Sequence, residues 1–308
     1  MPRIVSMELR QRALEAFCLP EPDIKVAAVQ TMQCAGPFQL DCHAQLTHDG
    51  PPGRPARPEL VHPQQVPRRS PYTVEGHCAL IHSIAHIEFN AINLALDAVW
   101  RFADMPSAYY QDWMRVAQEE AKHFTLLCAH LHQQGHRYGD YVAHDGLWTM
   151  CENTRHDVTA RMALVPRTLE ARGLDATPII QAKLRKVGTS HALEAVSILD
   201  IILTEEVGHV AIGNHWYHWL CDRDQKDFIA FYEKAAAQHG APSLKPPFNL
   251  VARKQAGFSQ AEIDALPKAG TAQTPPRDNS RKGVSTPRMD PREEVASAND
   301  SILETRHP

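Results

Sequence analysis

Two copies of the motif Glu-x-x-His are the clearest chemical feature of this sequence. They run from Glu120 to His123 and from Glu206 to His209. Positions i and i+3 of an α-helix lie on one face, so a single metal ion can meet both side chains. One such motif is weak evidence, because Glu and His pair on many solvated helices. Two copies on separate helical stretches indicate a metal site to which both contribute.

Apolar residues share the helix face of each motif. Trp113 and Phe124 lie on the face of Glu120, and Leu199 lies on the face of Glu206. An ionised carboxylate on an apolar stripe is costly unless it is paired or bound to a cation. We therefore expect both motifs to point into a protein interior.

The residue before each motif glutamate is also acidic. Glu119 shares its face with Asp112 and Lys122, which is typical of a solvated surface. Glu205 is harder to assign to the surface, because it lies four residues before His209. The matched spacing of the two motifs favours Glu206 rather than Glu205 as the ligand.

Two further glutamates extend the set. Glu88 lies on an apolar stripe, where a lone glutamate would be anomalous. Glu170 lies near the predicted end of its helix, and Pro166 just before it should kink that helix by removing a backbone hydrogen bond. Both are predicted ligands.

One Glu from each of two helices, plus Glu-x-x-His from each of two others, is the inward ligand set of ferritin-like di-iron and di-manganese carboxylate proteins. The sequence supplies this set in order as Glu88, Glu120, His123, Glu170, Glu206 and His209. Carboxylates with only two imidazoles suit iron or manganese better than zinc, which prefers histidine or thiolate. We predict two iron ions, with manganese as the alternative. Metal-bound imidazoles usually need an orienting partner, for which Asp157, Arg161 and Asp200 are candidates.

Long helices must position these residues. The pattern predicts an all-α fold, a ferritin-like four-helix bundle of helices roughly 40 Å long. The predicted long helices are Val74–Phe102, Ser107–Gln134, Leu147–Arg172 and Ser190–Leu220, and shorter ones cover Ile179–Lys186 and Asp224–Gln238.

Composition divides the chain into three zones. Residues 1–70 contain one helical candidate, Ser6 to Phe17, and a proline-rich stretch that should wrap the main body in extended form. Residues 71–266 form the predicted bundle with extra C-terminal helices. Residues 267–308 are polar and proline-rich, so we expect disorder.

The sequence also resembles a ferritin-like bacterial family of unassigned function. The resemblance spans roughly His77 to Phe258 and leaves the leader and tail outside. It implies the ferritin-like fold and supports the six ligands, but it supplies no substrate. It is carried by the runs HSIAHIEFNAINLALDAVWRF, QDWMRVAQEEAKHF, HDGLWTM, ARMALVPRTLEARGLDATP and EEVGHVAIGNHWY.

Charge and cysteine content indicate which partners and which cellular compartment to expect. With 32 basic and 36 acidic residues, the chain has no electrostatic footprint for nucleic acid or an anionic membrane. Its seven scattered cysteines form no CxxC pair and fit free thiols in a reducing compartment. We expect a cytoplasmic protein without a leader or membrane span. A homodimer through an exposed bundle face is left open.

Three functions remain after this reading. The first is an O₂-activating oxidase or oxygenase that acts on a small-molecule substrate. The second is an iron-handling protein of the ferroxidase type, and the third is a helical scaffold whose metal is structural or absent.

Overall fold

The fold is all-helical in the part of the chain that the structure describes, residues 8–32 and 39–267 of a computed structural model. Within those ranges only two isolated β-bridges occur. The helices are α1 Leu9–Cys18, α2 Pro22–Thr31, α3 Val74–Arg101, α4 Ser107–Gln133, α5 Gly146–Asn153, α6 Val158–Leu164, α7 Ala171–Val187, α8 Ser190–Arg223, α9 Phe228–His239, α10 Leu250–Gln255 and α11 Gln260–Asp264. A π-helical segment, Val165–Glu170, joins α6 to α7.

Most of the buried side chains belong to three long helices, α3, α4 and α8. Contacts between His77 and His130 and between Glu88 and His123 show that α3 and α4 run antiparallel. Helix α8 runs antiparallel to α4, and the stretch from α6 to α7 packs along α8. A continuous core of buried apolar side chains fills the space between these helices. The all-α prediction is confirmed.

Threonine caps fix the start of two of these helices. Thr73 accepts a hydrogen bond from the Gly76 amide before α3, and Thr189 accepts one from the Ala192 amide before α8. Each cap satisfies a backbone donor that the first helical turn leaves unpaired. The predicted starts of α3 and α8 match these bounds.

The N-terminal segment shares the core of the long helices. Its predicted single helix is wrong in number, because α2 follows α1 after a short break. The Lys25 ammonium of α2 is buried and donates to the carbonyls of Phe17 and Gly53 and to the side chain of Asn93 on α3. One cation therefore ties both N-terminal helices and the proline-rich stretch to α3. The boundary at residue 70 stays a prediction, and the tail from residue 268 lies outside the described residues.

The predicted third helix is wrong in its bounds. A break after α5 splits it, and Asp157 caps α6 by accepting from the Ala160 amide. Its predicted stop at Gly173 fails, since α7 continues to Gly188, where a left-handed φ of 71° ends the helix. The cost of one glycine in a helix, about 1 kcal/mol, is small against the apolar side chains that α7 buries beyond it.

Pro178 also lies within α7, although proline cannot donate to the preceding turn. The carbonyl of Leu174, which loses that donor, accepts instead from the Asn249 side chain at 3.2 Å. The C-terminal region thereby repairs the helix. The separate helix predicted over Ile179–Lys186 is the end of α7.

Helix α3 is long and apolar enough to cross a membrane by length and composition, yet 78% of its most apolar window is buried within the fold. A core helix of a soluble protein has this property, and the chain is consistent with one.

Within the described ranges the cysteines are free thiols; they are Cys18, Cys42, Cys78, Cys128, Cys151 and Cys221.

Candidate metal centre

The middle of three helices supplies a buried cluster of acids and histidines. Glu88 lies on α3, Glu120 and His123 lie on α4, and Glu206 lies on α8. One donor atom from each of these four residues falls within 4.8 Å of the others. That separation is short enough for shared metal ions.

The fifth predicted ligand, His209, lies against the same cluster. Its Nδ1 atom is 2.9 Å from Glu120 Oε1 and 3.7 Å from Glu206 Oε1. On the other side of Glu120, the Nδ1 atom of His123 is 3.3 Å from Glu120 Oε2 and 3.4 Å from Glu88 Oε2. Glu120 therefore lies between the two histidines, with one oxygen facing each.

The outer nitrogen of each histidine is held by the opposite helix. His123 on α4 donates from Nε2 to Glu205 Oε2 of α8 at 2.7 Å. His209 on α8 donates from Nε2 to Glu119 Oε2 of α4, also at 2.7 Å. A carboxylate only accepts, so it fixes a proton on Nε2 and leaves Nδ1 as the nitrogen that faces the cluster and can bind a metal.

This arrangement corrects the solvated-surface prediction for Glu119. The sequence did hold a signal, because both motifs read Glu-Glu-x-x-His: Glu119 precedes Glu120 as Glu205 precedes Glu206. The first glutamate of each copy reaches across to the histidine of the other copy. Lys122, which pairs with Glu205, adds a fixed positive charge at the outer edge of this contact.

The three residues predicted to orient the ligand histidines make other contacts instead. Asp157 caps α6. Arg161 forms a buried ion pair with Asp97, and Asp200 accepts from Gln181 at 2.7 Å. None of the three contacts a ligand histidine in the described structure, so these candidates were wrong.

Glu170, the sixth predicted ligand, stands slightly apart. It ends the π-helical segment, is 8% exposed, and lies outside the tight group of four. Burial and the nearby charges of Glu206 and Glu120 raise the pKa of its carboxyl well above the usual value. The carboxyl therefore faces the same acidic interior.

Close packing sets the position of the π-helical segment. A Cβ atom placed on Gly213 of α8 would lie 2.4 Å from Cβ of Pro166. Only glycine allows the two backbones to approach this closely. The segment that carries Glu170 is thus seated directly on the helix that carries Glu206 and His209.

Several buried polar atoms of the cluster have no hydrogen-bond partner. Buried polar atoms normally have hydrogen-bond partners, so a group of orphans requires an explanation. Although His209 Nδ1 lies near Glu120 Oε1, neither atom has an aligned hydrogen-bond partner. The buried orphans of the site are Glu88 Oε2, Glu120 Oε1, both carboxylate oxygens of Glu170, Glu206 Oε2 and His209 Nδ1. Convergent lone pairs of this kind suit cations.

The close approach of several buried acids also shifts the pKa values of the site residues. Burial and the charge of Glu120 raise the pKa of Glu88 well above its usual value, and they also raise that of Glu206. Burial opposes the charged form of His123, but hydrogen bonds and charges from Glu120 and Glu88 raise its pKa to about 11. Without metal, protons must neutralise the cluster, and bound cations would replace them.

The fold and the site define an all-helical protein with a buried carboxylate and histidine cluster that could hold metal. The sequence belongs to the family described as "Protein of unknown function (DUF455)", whose profile matches residues 18–264. The match begins well before His77, so the family includes α2 and the proline-rich stretch that the resemblance left out.

One relative in Haemophilus influenzae (strain Rd), described as an uncharacterized protein, is 50% identical over 217 residues. The alignment covers 68% of this chain and 74% of the relative. No solved structure matches the chain.

Proposed function

We propose that this protein is a ferritin-like di-iron carboxylate protein, a cytoplasmic oxidoreductase that uses O₂ to oxidise a small molecule. The observation that carries the proposal is the group of orphaned carboxylate oxygens between two histidines whose Nδ1 atoms face inward. This donor set of acids and imidazoles suits iron, with manganese as the alternative.

The geometry suggests a role for each ligand. Glu120 would help to hold both ions, because one oxygen faces His123 and the other faces His209. Glu88 would complete the coordination on the His123 side, where it lies 3.4 Å from Nδ1. Glu206 lies 3.7 Å from His209 Nδ1 and would hold an ion on that side together with Glu170.

An iron pair bound here would supply the electrons for reduction of O₂ and the oxidising power for the substrate. The chain's own residues supply the surroundings. Glu119 and Glu205 hold the two imidazoles in one tautomer and orientation. The ligand candidates Glu120, His123 and His209 are themselves fully buried, so bulk water does not reach them.

A pocket beside the π-helical segment favours an enzyme over a simple iron-handling protein. It encloses about 480 Å³ including its open mouth, and Phe228, Tyr232 and Phe258 contribute aromatic walls. Arg167 lines it from the π-helical segment that ends at Glu170. Aromatic walls of this kind suit small organic molecules, and π-helical segments are frequent at functional sites. An iron store requires no such pocket.

Anaerobic titration with ferrous iron, followed by air, tests this proposal. We expect air to produce an absorbing di-ferric species from two ferrous ions per chain. The same titration of Glu120→Ala should give no such species. Uptake of many ions per chain would favour iron storage, and no uptake at all would favour the scaffold.

A further inference from the structure

A second group of histidines lies at one end of the bundle, away from the acidic cluster. His77 is in the first turns of α3, His130 is near the end of α4, and His191 is in the first turn of α8. These three helix ends meet because α4 runs antiparallel to both α3 and α8. The group therefore draws one imidazole from each long helix.

Two of these imidazoles are buried and face each other. His77 is 4% exposed and His130 is 1% exposed, and their Nε2 atoms lie 3.0 Å apart. Ligand nitrogens about 2.0–2.1 Å from a tetrahedral ion are roughly 3.3 Å apart, so a small opening would admit an ion between them.

The surroundings favour ligation further. Glu194 of α8 places Oε2 3.6 Å from His130 Nδ1, on the ring edge opposite His77. This separation is too long for a hydrogen bond, and His130 Nδ1 has no other hydrogen-bond partner, but the carboxylate is near enough to accept from that ring after a small shift, as metal-bound histidines usually require. The ring of His191 lies 6.2 Å from that of His130, and its side chain is exposed.

Both buried imidazoles are in the state that metals bind. Burial and the neighbouring histidines lower the pKa of His77 to about 4. Burial also lowers the pKa of His130, although Glu194 partly opposes the shift. At neutral pH both rings are uncharged, so the accepting Nε2 can bind a cation directly, and the donating ring can bind it after its proton moves from Nε2 to Nδ1. The Nδ1 atoms of His77 and His130 are both buried without a hydrogen-bond partner, so the contact between the two Nε2 atoms is the hydrogen bond that their side chains make.

We propose that His77, His130 and His191 form a separate mononuclear site for a divalent transition-metal ion such as Zn²⁺ or Co²⁺. Three imidazoles with an open fourth position, and a carboxylate behind one of them, match the preferences of these ions. The site shares no residue with the acidic cluster and does not depend on the proposed function.

Cobalt titration of the full chain tests the site, with metal bound per chain and the visible Co²⁺ spectrum as readouts. His77→Gln and His130→Gln keep side chains of similar polarity and remove the ligand nitrogen. Each should bind one ion fewer per chain than the wild type. His132→Gln, on the exposed face of α4, is the matched control and should bind as many ions as the wild type.

The result does not depend on the acidic cluster, because the loss of one ion is expected whether that cluster binds two ions or none. Circular dichroism checks the fold of each variant. If a buried variant does not fold, the exposed His191→Ala should still weaken the affinity for this ion by at least tenfold. Unchanged binding in the folded histidine variants, or equal loss in His132→Gln, would overturn the proposal.

Discussion

The imidazole of His209 on α8 donates its Nε2 proton to Glu119 of α4 over 2.7 Å. His123 makes the same contact in the opposite direction, to Glu205. The two motifs are therefore related by an approximate twofold exchange, in which each helix supplies the orienting acid for the other. This exchange explains why both helices carry a glutamate pair rather than a single glutamate.

The first prediction concerns this orienting contact. Glu119→Ala should weaken metal affinity about 10- to 100-fold, because the His209 ring loses the group that fixes its tautomer. Isothermal titration with Fe²⁺ or Mn²⁺ under anaerobic conditions measures the change. Glu233→Ala, at an exposed position of α9, is the control and should leave affinity unchanged. Equal affinity in Glu119→Ala and the wild type would show that the contact does not position the ligand.

The second prediction concerns the close approach of α8 to the π-helical segment. Gly213→Ala should destabilise the protein by about 1–3 kcal/mol, since its Cβ would overlap the rigid ring of Pro166. Displacement of that segment should also move Glu170 and lower metal occupancy. Denaturant unfolding and metal analysis measure the two effects.

Gly208→Ala provides a matched control on the same helix. A Cβ at this exposed position meets nothing within 4 Å. Because alanine favours a helix over glycine, this variant should be up to about 1 kcal/mol more stable than the wild type. Similar behaviour of the two variants would contradict the packing argument.

The third prediction concerns pH. In the metal-free protein the pKa of His123 is raised to about 11, and that of His209 is also raised well above its usual value. Both rings therefore carry a proton at Nδ1 at neutral pH, and metal must displace it. Affinity should rise with pH between about 6 and 8, with protons released on binding. Titration calorimetry in buffers of different ionisation enthalpy counts them, and binding without proton release would refute this picture.

Helical periodicity in the sequence was enough to predict the cluster residues that lie on apolar helix faces. Glu88, Glu120 and Glu206 lie on apolar stripes, and a stripe predicts which face of a helix is buried. The structure brings these three together with His123. The same reasoning placed α3, α4 and α8 within a few residues of their observed bounds.

Contacts between residues of different helices were not predicted from the sequence. The contact of Glu119 with His209 depends on the rotation of α4 against α8, which no single-helix pattern contains. The continuation of α7 past Gly173 and Pro178 depends on Asn249, a residue far along the chain. Tertiary contacts of this kind override local breakers. The missed helix α2 begins with proline at its first position, which marks a helix start as readily as a break.

The central claim is that the buried acids are neutralised by two metal ions, and Glu120 tests it most directly because it lies between both histidines. Metal content of the purified wild type and of Glu120→Ala should be compared by elemental analysis, with anomalous scattering to locate the ions. We expect two ions per chain beside Glu120 in the wild type and fewer than one there in a folded Glu120→Ala protein. Two ions retained at that position in the variant, or none in a wild type saturated with iron and manganese, would contradict it.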